Sequence, residues 1–298
     1  MEVLIFGYGS RVKNQIIPAL NSVFSNIEIT VLNKTSSIKQ QNKNITLDNF
    51  DHLNEYINKE FSFIIVSVPF KNVKVVLKKL LHKKKQTFFI DTPVNKFTKK
   101  IIKNDNVYVL EDIVFVEWIN VLKQYLKYLN KISIYFYYSA HEYHGIAMIK
   151  AIIDKKLKSV KRHYIYPNLI SSELNFEENI YVKVLSPSNY DKGFILIRSE
   201  KYDLLIGNKE TYFNSDIHIK NRLIVLEEEI NNLNLNSTNW IKDLSEFKYR
   251  GLIELFNNYK MKNYNLPNFN SSKTEQNIAK KNRLIIKILK LINKFKIK

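Results

Sequence analysis

The chain has 298 residues, of which 45% are hydrophobic, and it contains 18 Phe and 18 Tyr. This composition is too apolar for an intrinsically disordered chain, and the length allows one large core or two ordinary ones. There is no cysteine, which excludes disulfides, thiolate metal ligands and a cysteine nucleophile. The formal charge of +19 comes from 47 Lys and Arg against 28 Asp and Glu. Because the lysines are scattered along the chain, we expect solvated charge and regard a nucleic-acid partner as the weaker interpretation.

The first residues carry neither a basic leader nor a small-residue cleavage site. No stretch reaches the roughly 18 uncharged apolar residues that a membrane-spanning helix needs. Together with the missing cysteines, this pattern favours a cytoplasmic protein.

Strand and helix patterns alternate through residues 1–110. Short apolar or β-branched runs predict strands at 3–6, 27–32, 61–68, 87–90 and 107–110. Amphipathic runs predict helices at 10–23, 53–57, 72–81 and 96–103. Such alternation is typical of a parallel sheet covered by helices on both faces. We therefore expect an α/β Rossmann domain over residues 1–114.

The second part of the chain is richer in consecutive strands. Helices are expected at 116–129, 144–153 and 244–259, with a basic amphipathic helix over 278–298. Strands are expected at 132–138, 161–166, 180–185, 193–199, 202–207 and 211–219, with turn signals between several of them. This order predicts an α+β domain over residues 115–298 with a large, mainly antiparallel sheet.

A glycine-rich turn follows the first predicted strand and opens the first helix. Its residues are Gly7, Tyr8, Gly9, Ser10, Arg11 and Val12. The first glycine permits a tight turn, the second lets the backbone approach a pyrophosphate, and the helix start offers free N–H groups. Val12 stands where the full pattern has glycine or alanine, so a turn that binds nothing remains the alternative. The position after an N-terminal strand nevertheless favours a dinucleotide site.

The end of the second strand commonly selects the dinucleotide. The residues here are Asn33, Lys34, Thr35, Ser36 and Ser37. None is a carboxylate, which NAD-binding sites use to hold the ribose 2′-hydroxyl. The stretch therefore favours NADP over NAD, with ordinary surface residues as the alternative interpretation.

Three segments in order resemble the Gfo/Idh/MocA oxidoreductases, the glucose–fructose oxidoreductase and inositol dehydrogenase group. The first is the glycine turn with Ile17-Pro18-Ala19-Leu20 after it, and the second is Phe-Ile-Ile-Val-Ser-Val-Pro at 63–69. The third is Asp91-Thr92-Pro93, at the position of the family's Glu-Lys-Pro motif. The resemblance implies an NAD(P)-dependent oxidoreductase that transfers hydride to or from a sugar, nucleotide-sugar or similar polyhydroxy carbonyl compound, in carbohydrate or surface-glycan metabolism.

The resemblance also implies roles for individual residues. Those expected to border the cofactor, besides the glycine turn, are Ser67, Val68, Pro69, Asn72, Asp91, Thr92 and Pro93. The sheet of the second domain would form the substrate floor and an oligomer interface, so a homo-oligomer is expected.

The chain departs from the family pattern at the catalytic positions. Thr92 replaces the lysine of Glu-Lys-Pro, and Ala140 and Ala147 stand where the family commonly has acidic residues around a histidine that His144 matches. A non-catalytic dinucleotide-binding regulatory protein is therefore the alternative. Histidine titrates near neutral pH, so His144 is the first candidate for the proton donor, with His141 or Tyr143 as helper. Core packing or helix capping by His144 is the competing interpretation.

Three further features carry weaker expectations. Glu111 and Asp112 follow the fifth strand, where they would orient substrate hydroxyls or lie in a solvated loop or cap. Lys96 is a distant candidate to replace the missing lysine. In the last helix apolar residues alternate with lysines, namely Leu284, Ile288, Leu291 and Phe295. That pattern fits either peripheral contact with an anionic membrane or a helix docked on the protein.

Overall fold

The computed structural model describes residues 1–34, 40–80, 86–92, 94, 106–115, 119, 123, 133–137, 142–165, 169–186, 194–198, 203–207, 244–262, 266–267, 278, 284–285 and 288. The chain forms two compact units. Unit 1 comprises Met1–Phe115 and Lys248–Thr274, and unit 2 comprises Val116–Phe247 and Glu275–Lys298. The sequence predicts a continuous second domain after residue 114, whereas the structure returns Lys248–Thr274 to unit 1.

Unit 1 contains a seven-stranded sheet. Its strands are β1 Glu2–Phe6, β2 Glu28–Asn33, β3 Gln40–Asn42, β4 Ile45–Asn49, β5 Phe63–Val66, β6 Phe88–Asp91 and β7 Val107–Leu110. The spatial order is β3-β4-β2-β1-β5-β6-β7. Every neighbouring pair is parallel except β3 with β4. The order reverses between β1 and β5, so the glycine turn after β1 lies at the topological switch point.

Two strands of this sheet were missed by the sequence analysis. Five parallel strands were expected, but the structure has six, together with the antiparallel edge strand β3. Of the two missed strands, β3 is the edge strand and β4 lies next to it, and β4 buries only Asp48. A strand with such burial lacks the continuous apolar run that marks a strand covered on both faces.

Helices cover both faces of the unit 1 sheet. A π-helical turn, Val12–Ile16, continues into α1, Ile17–Val23. A 3-10 turn, Phe50–His52, precedes α2, Leu53–Ile57, and α3 spans Phe70–Leu80. A second 3-10 turn, Asp112–Phe115, follows β7. The expected helices at 10–23, 53–57 and 72–81 are confirmed, with the π-helical turn as the one unforeseen feature.

The central strands are apolar on both sides because both faces are buried. One face, with Val3, Ile5, Phe63, Ile65 and Phe89, packs with α1. The alternate residues Leu4, Phe6, Ile64, Val66 and Ile90 pack with α2 and α3. All ten side chains are fully buried. The α/β class with a parallel Rossmann sheet is therefore confirmed.

Unit 2 contains a six-stranded mixed sheet. Its strands are β8 Ser133–Tyr137, β9 Leu157–Ile165, β10 Leu169–Phe176, β11 Tyr181–Ser186, β12 Phe194–Arg198 and β13 Asp203–Gly207. The order is β13-β12-β8-β11-β10-β9, and only the β8–β11 pair is parallel. The sheet is thus mainly antiparallel, as expected. Between β8 and β9 the chain forms α4, Glu142–Ile153, which buries Ile146 and Ile149.

Strand β10 is also absent from the strands that the sequence predicts. Its neighbours are β9 and β11, and its two consecutive serines, Ser171 and Ser172, are both buried. Two small polar residues in the middle of the segment remove the alternation of apolar and polar residues by which a strand is recognised.

The last long helix, α5, spans Leu244–Lys260. From Lys248 onward it belongs to unit 1, where Leu252, Leu255 and Phe256 are fully buried against the first face of the sheet. The Phe256 ring stacks on Phe63, with 6.1 Å between ring centroids. This packing explains why the segment returns to unit 1.

Several sequence predictions fall wholly or mostly outside the described residues. They are the helices at 96–103 and 116–129, the strand at 211–219 and most of the helix at 278–298. Within that last segment Ile278, Leu284, Ile285 and Ile288 are helical. Over the residues that the structure describes, no helix has the length and apolar character needed to cross a bilayer.

Candidate functional site

The first glycine of the turn after β1 is required by the backbone. Gly7 has φ +99°, a conformation that L side chains rarely adopt. A Cβ atom on Gly7 would lie 2.1 Å from the carbonyl oxygen of Ser67, at the end of β5. The Gly7 N–H donates to the Leu32 carbonyl at 2.9 Å. Gly7 therefore lets the ends of β1 and β5 approach each other.

The second glycine faces a different environment. A Cβ atom on Gly9 would meet no atom of the described residues within 4 Å. The first hydrogen bond of the helix runs from the Lys13 N–H to the Gly9 carbonyl, at 3.1 Å. The N–H groups of Ser10, Arg11 and Val12 lie before it and take no part in the helical hydrogen bonds. The Arg11 side chain makes no capping hydrogen bond to the π-helical turn Val12–Ile16. The turn therefore presents backbone donors beside open space.

Arg11 makes a network of its own within the turn. Its Nε donates to both carboxylate oxygens of Asp91, at 3.0 and 3.2 Å, and its Nη1 donates to Asp112 Oδ2 at 3.1 Å. Gln15 Oε1 and the Leu110 carbonyl accept the remaining bonds, at 3.0 and 3.3 Å. Burial alone would lower the pKa of the guanidinium, but Asp112 and Asp91 outweigh that effect and raise it. Arg11 thus ties the start of the first helix to the ends of β6 and β7.

Asp91 occupies the glutamate position of the Glu-Lys-Pro motif, and its carboxylate is fully engaged. Besides the two bonds from Arg11, Oδ2 accepts from Ser67 Oγ at 2.7 Å and Oδ1 accepts from the Thr92 N–H at 2.9 Å. The Asp91 side chain is 14% exposed. Three of the predicted site residues, Ser67, Asp91 and Thr92, are therefore brought together with Arg11 at the carboxyl edge of the sheet.

The adjacent acids Glu111 and Asp112 are buried instead of solvated. They are 2% and 0% exposed, so they do not lie in a solvated loop. Among the described residues, the Oδ1 atom of Asp112 has no hydrogen-bond partner, while its Oδ2 pairs with Arg11. Helix α5 packs directly on this turn, since a Cβ on Gly251 would lie 2.3 Å from the Asp112 carbonyl oxygen. Asp112 therefore joins the end of β7 to Arg11 through its side chain and to α5 through its backbone.

The end of β2 lacks a carboxylate, and the nearest one on the neighbouring strand is occupied. Asp48, on β4, is completely buried. Its carboxylate accepts from Tyr56 Oη at 2.6 Å and the Asn49 N–H at 2.7 Å, and it bonds His52 Nδ1 at 2.7 Å. Burial would raise the pKa of Asp48, but these bonds outweigh it and lower the pKa. The contact with Asp48 raises the pKa of His52. This cluster is not predicted from the sequence because β4, which carries Asp48, is not predicted either.

The remaining predicted residues of unit 1 lie around the same edge of the sheet. Asn33 is buried at the end of β2, and Lys34 is exposed. Val68 is half-buried and Pro69 exposed after β5. The Asn72 N–H donates to the Pro69 carbonyl at 2.7 Å, in the first turn of α3. These residues follow β2 and β5, the strands on either side of β1.

The predicted catalytic residues belong to unit 2. His144 lies in α4 and is 4% exposed. Tyr143 is in the same helix, but the structure does not describe its side chain. His141, Pro93 and Lys96 lie outside the described residues. In the part of the chain that the structure covers, no group of three or more His, Cys, Asp or Glu residues is arranged to hold a metal ion.

Comparison with known proteins places the fold. No protein-family model matches the chain, and no curated protein sequence matches it. Solved structures with this fold include D-galactose-1-dehydrogenase from Rhizobium etli, at 9% identity and a TM-score of 0.54 over 69% of this chain and 77% of that one. Aldose-aldose oxidoreductase from Caulobacter crescentus, complexed with glycerol, has 9% identity and a TM-score of 0.54 over 69% and 76%.

A third match covers more of the chain. Myo-inositol dehydrogenase from Lactobacillus casei, in complex with NAD(H) and myo-inositol, has 12% identity and a TM-score of 0.53 over 85% of this chain and 91% of that one. At such identities the likeness establishes the fold. The resemblance that the three sequence segments indicate is thereby confirmed at that level: this chain has the fold of the Gfo/Idh/MocA-type sugar and inositol dehydrogenases.

Proposed function

We propose that the chain is an oxidoreductase that binds a nicotinamide dinucleotide at the Gly7–Val12 turn. The observation that carries the proposal is the open space in front of Gly9, beside the amides of Ser10, Arg11 and Val12. Backbone donors at a helix start favour an anion, and the second glycine leaves room for a diphosphate. The residues present therefore fit a dinucleotide.

The diphosphate would be held by the backbone and not by the Arg11 side chain. The Arg11 guanidinium already bonds five acceptor atoms on Asp91, Asp112, Gln15 and Leu110. Its charge is more than balanced by two carboxylates, so the long-range attraction for a phosphate is small. When bound, the nicotinamide supplies the hydride donor or acceptor.

We further propose a preference for NADP over NAD. An NAD site needs a carboxylate for the ribose 2′-hydroxyl near the end of β2. Asn33 and Lys34 offer none, and Asp48 on the neighbouring strand already bonds His52, Tyr56 and the Asn49 amide. The exposed cation of Lys34 suits a 2′-phosphate instead.

The substrate would be a sugar, nucleotide-sugar or similar polyhydroxy carbonyl compound. The neighbours in fold act on galactose, aldoses and inositol, as their names state. In such a reaction a protein acid protonates the developing alkoxide as hydride arrives, and His144 is our candidate. The proposal includes a homo-oligomer in the cytoplasm, acting in carbohydrate or surface-glycan metabolism.

Cofactor binding is tested at Gly9. The Gly9→Ala variant should keep the stability of the wild type, because its added methyl meets no described atom within 4 Å. It should weaken NADPH binding, measured by calorimetry or cofactor fluorescence, by at least about tenfold, since a methyl stands where the diphosphate approaches. Val75→Ala, on the outer side of α3, is the control. Equal NADPH affinity in Gly9→Ala and wild type would contradict the proposed site.

Turnover is tested separately at His144. His144→Gln should bind NADPH normally and oxidise it more slowly with keto-sugars, by about a hundredfold, because general acid catalysis is lost. A variant that turns over normally but melts earlier would show that His144 only packs the core. NADPH binding by the wild type without turnover of any polyhydroxy carbonyl compound would indicate the regulatory alternative.

A further inference from the structure

The His52 side chain lies beside the strand end at which the adenosine ribose would bind, and we propose that it is a second ligand for the 2′-phosphate of NADP. This inference rests on the proposed function, because it concerns the same dinucleotide site. Lys34 is the cation proposed for that phosphate after β2. His52 would approach the phosphate from the turn after the neighbouring strand β4, and its proton would make the preference for NADP depend on pH.

The turn that carries His52 borders the ends of two parallel strands. Asn33, the last residue of β2, pairs with Asn49, the last residue of β4. The 3-10 turn Phe50–His52 begins at the next residue, and the Phe50 ring meets the Phe6 ring with 6.0 Å between centroids. Phe6 ends β1 and directly precedes the glycine turn. The turn with His52 therefore lies at the carboxyl edge of the sheet, beside the strand ends that a dinucleotide crosses.

The contact with Asp48 fixes the orientation of the imidazole. His52 Nδ1 lies 2.7 Å from Asp48 Oδ1, and the same carboxylate accepts from the Tyr56 hydroxyl at 2.6 Å. The Asp48 side chain is 0% exposed, whereas the His52 side chain is 49% exposed. Because Nδ1 faces the buried carboxylate, the other ring nitrogen, Nε2, lies on the solvent side of the ring. An ionised carboxylate only accepts hydrogen bonds, so Nδ1 keeps its hydrogen and Nε2 is the nitrogen that gains or loses a proton.

The two protonation states of His52 act on a phosphate in opposite ways. In the protonated ring Nε2–H donates to a phosphate oxygen, and the positive charge strengthens the bond. In the neutral ring Nε2 presents a lone pair, which repels the phosphate oxygens. The contact with Asp48 raises the pKa of His52, so the cationic form persists to a higher pH than in a histidine without such a partner. NADH has no 2′-phosphate, so its affinity should not depend on this proton.

The other charges around the turn are of both signs. Asp51 and Glu55, which are exposed, lie close enough to the imidazole to raise its pKa further. The Lys79 ammonium of α3 lies 5.1 Å from the centroid of the Phe50 ring, and Lys34 is exposed after β2. The two acids favour the protonated ring and oppose a phosphate, whereas the two lysines attract one. Because the acids are in water, their repulsion is screened more strongly than a direct bond from Nε2.

The test is the ratio of the dissociation constants for NADH and NADPH, measured by cofactor fluorescence on the full chain at about pH 6.5 and about pH 9. In the wild type the preference for NADPH should fall by about tenfold between the two pH values, because a charge-assisted hydrogen bond is lost. His52→Gln should lose this pH dependence and keep the wild-type affinity for NADH, since an amide does not titrate. Ionisation of the 2′-phosphate, near pH 6, affects both proteins alike. The control is His163→Gln, which removes the imidazole that lies 3.1 Å from Glu173 in unit 2, and it should behave like the wild type.

An NMR titration of the histidine ring protons gives an independent measurement on the wild type alone. The chain has six histidines, and the signal missing from His52→Gln identifies the ring of His52. NADPH should raise the pKa of His52 and NADH should not, because only NADPH places a phosphate against Nε2. A pKa that NADPH leaves unchanged, or a cofactor preference with the same pH dependence in the wild type and His52→Gln, would overturn the inference and leave the proposed function standing. Protein that binds neither cofactor would overturn both.

Discussion

Replacing Arg11 tests whether the charged cluster at the carboxyl edge of the sheet holds unit 1 together. The Arg11→Met variant keeps most of the apolar length of the side chain and removes the guanidinium. Asp112, which is 0% exposed, then loses the one cation that pairs with it among the described residues, where its Oδ1 already lacks a hydrogen-bond partner. Asp91 loses two of its four hydrogen bonds but is 14% exposed, so water reaches it.

The size of the effect follows from the burial of Asp112. Removing one partner of a buried ion pair costs about 3–5 kcal/mol, because the remaining charge is left desolvated. We expect a loss of that order in the free energy of unfolding of Arg11→Met. The free energy of unfolding of Arg11→Lys should lie between those of Arg11→Met and the wild type, since one ammonium group cannot reach the acceptors on Asp91 and Asp112 together. Adding Asp112→Leu to Arg11→Met should recover part of the loss, because no charge then stays buried unpaired.

Urea unfolding followed by circular dichroism measures these differences, with the slope of the transition as a check on the folded state. The matched control is Lys155→Met, which breaks the pair between Lys155 and Glu178 at 2.6 Å. That pair is exposed on both sides, so its loss should change stability far less. If Arg11→Met and Lys155→Met unfold at the same urea concentration as the wild type, the cluster does not stabilise the sheet edge in the way argued.

Three further predictions concern the same edge of the sheet. Gly7→Ala should cost at least about 3 kcal/mol by urea unfolding, because of the positive φ and the contact with the Ser67 carbonyl; an unchanged midpoint would contradict the tight approach. The raised pKa of His52 means that its contact with Asp48 stabilises the fold fully below about pH 6.5 and is lost as pH rises through the folded-state pKa. The stability difference between wild type and His52→Gln should therefore be large at pH 5.5 and small at pH 8.5, and a difference that grows with pH would refute the sign. Lys34→Asp should raise the dissociation constant for NADPH by about tenfold while that for NADH stays level or falls; equal changes for both cofactors would exclude Lys34 from the 2′-phosphate site.

Local patterns predicted most of unit 1 because its central strands are buried on both faces. Runs such as Phe63–Val66 are apolar throughout, and Leu53–Ile57 and Val107–Leu110 were located to the residue. The strand β4 escaped because four of its five residues are only half-buried and its sequence gives no such apolar run. In β10 the buried Ser171 and Ser172 had the same effect within a fully paired strand.

The chemistry of the candidate site was harder to predict than its position. The glycine turn is a local signal, so the position of the turn at Gly7 and Gly9 could be predicted directly from the sequence. The carboxylate partners of Arg11 are 80 and 101 residues away in sequence, and no periodicity encodes such contacts. The same limit applies to Glu111 and Asp112, which look like loop residues until helix α5 covers them.

The return of α5 to unit 1 has a consequence for how the protein is made. Phe256 completes an aromatic cluster with Phe63 and Phe89, at centroid distances of 6.1 and 5.7 Å. During translation these two sheet residues leave the ribosome long before Phe256 does, so the part of this apolar sheet face that α5 covers stays exposed while unit 2 is synthesised. Nascent chains in that interval are candidates for chaperone binding and for aggregation. Cells that lack ribosome-associated chaperones should accordingly yield less of this protein in soluble form.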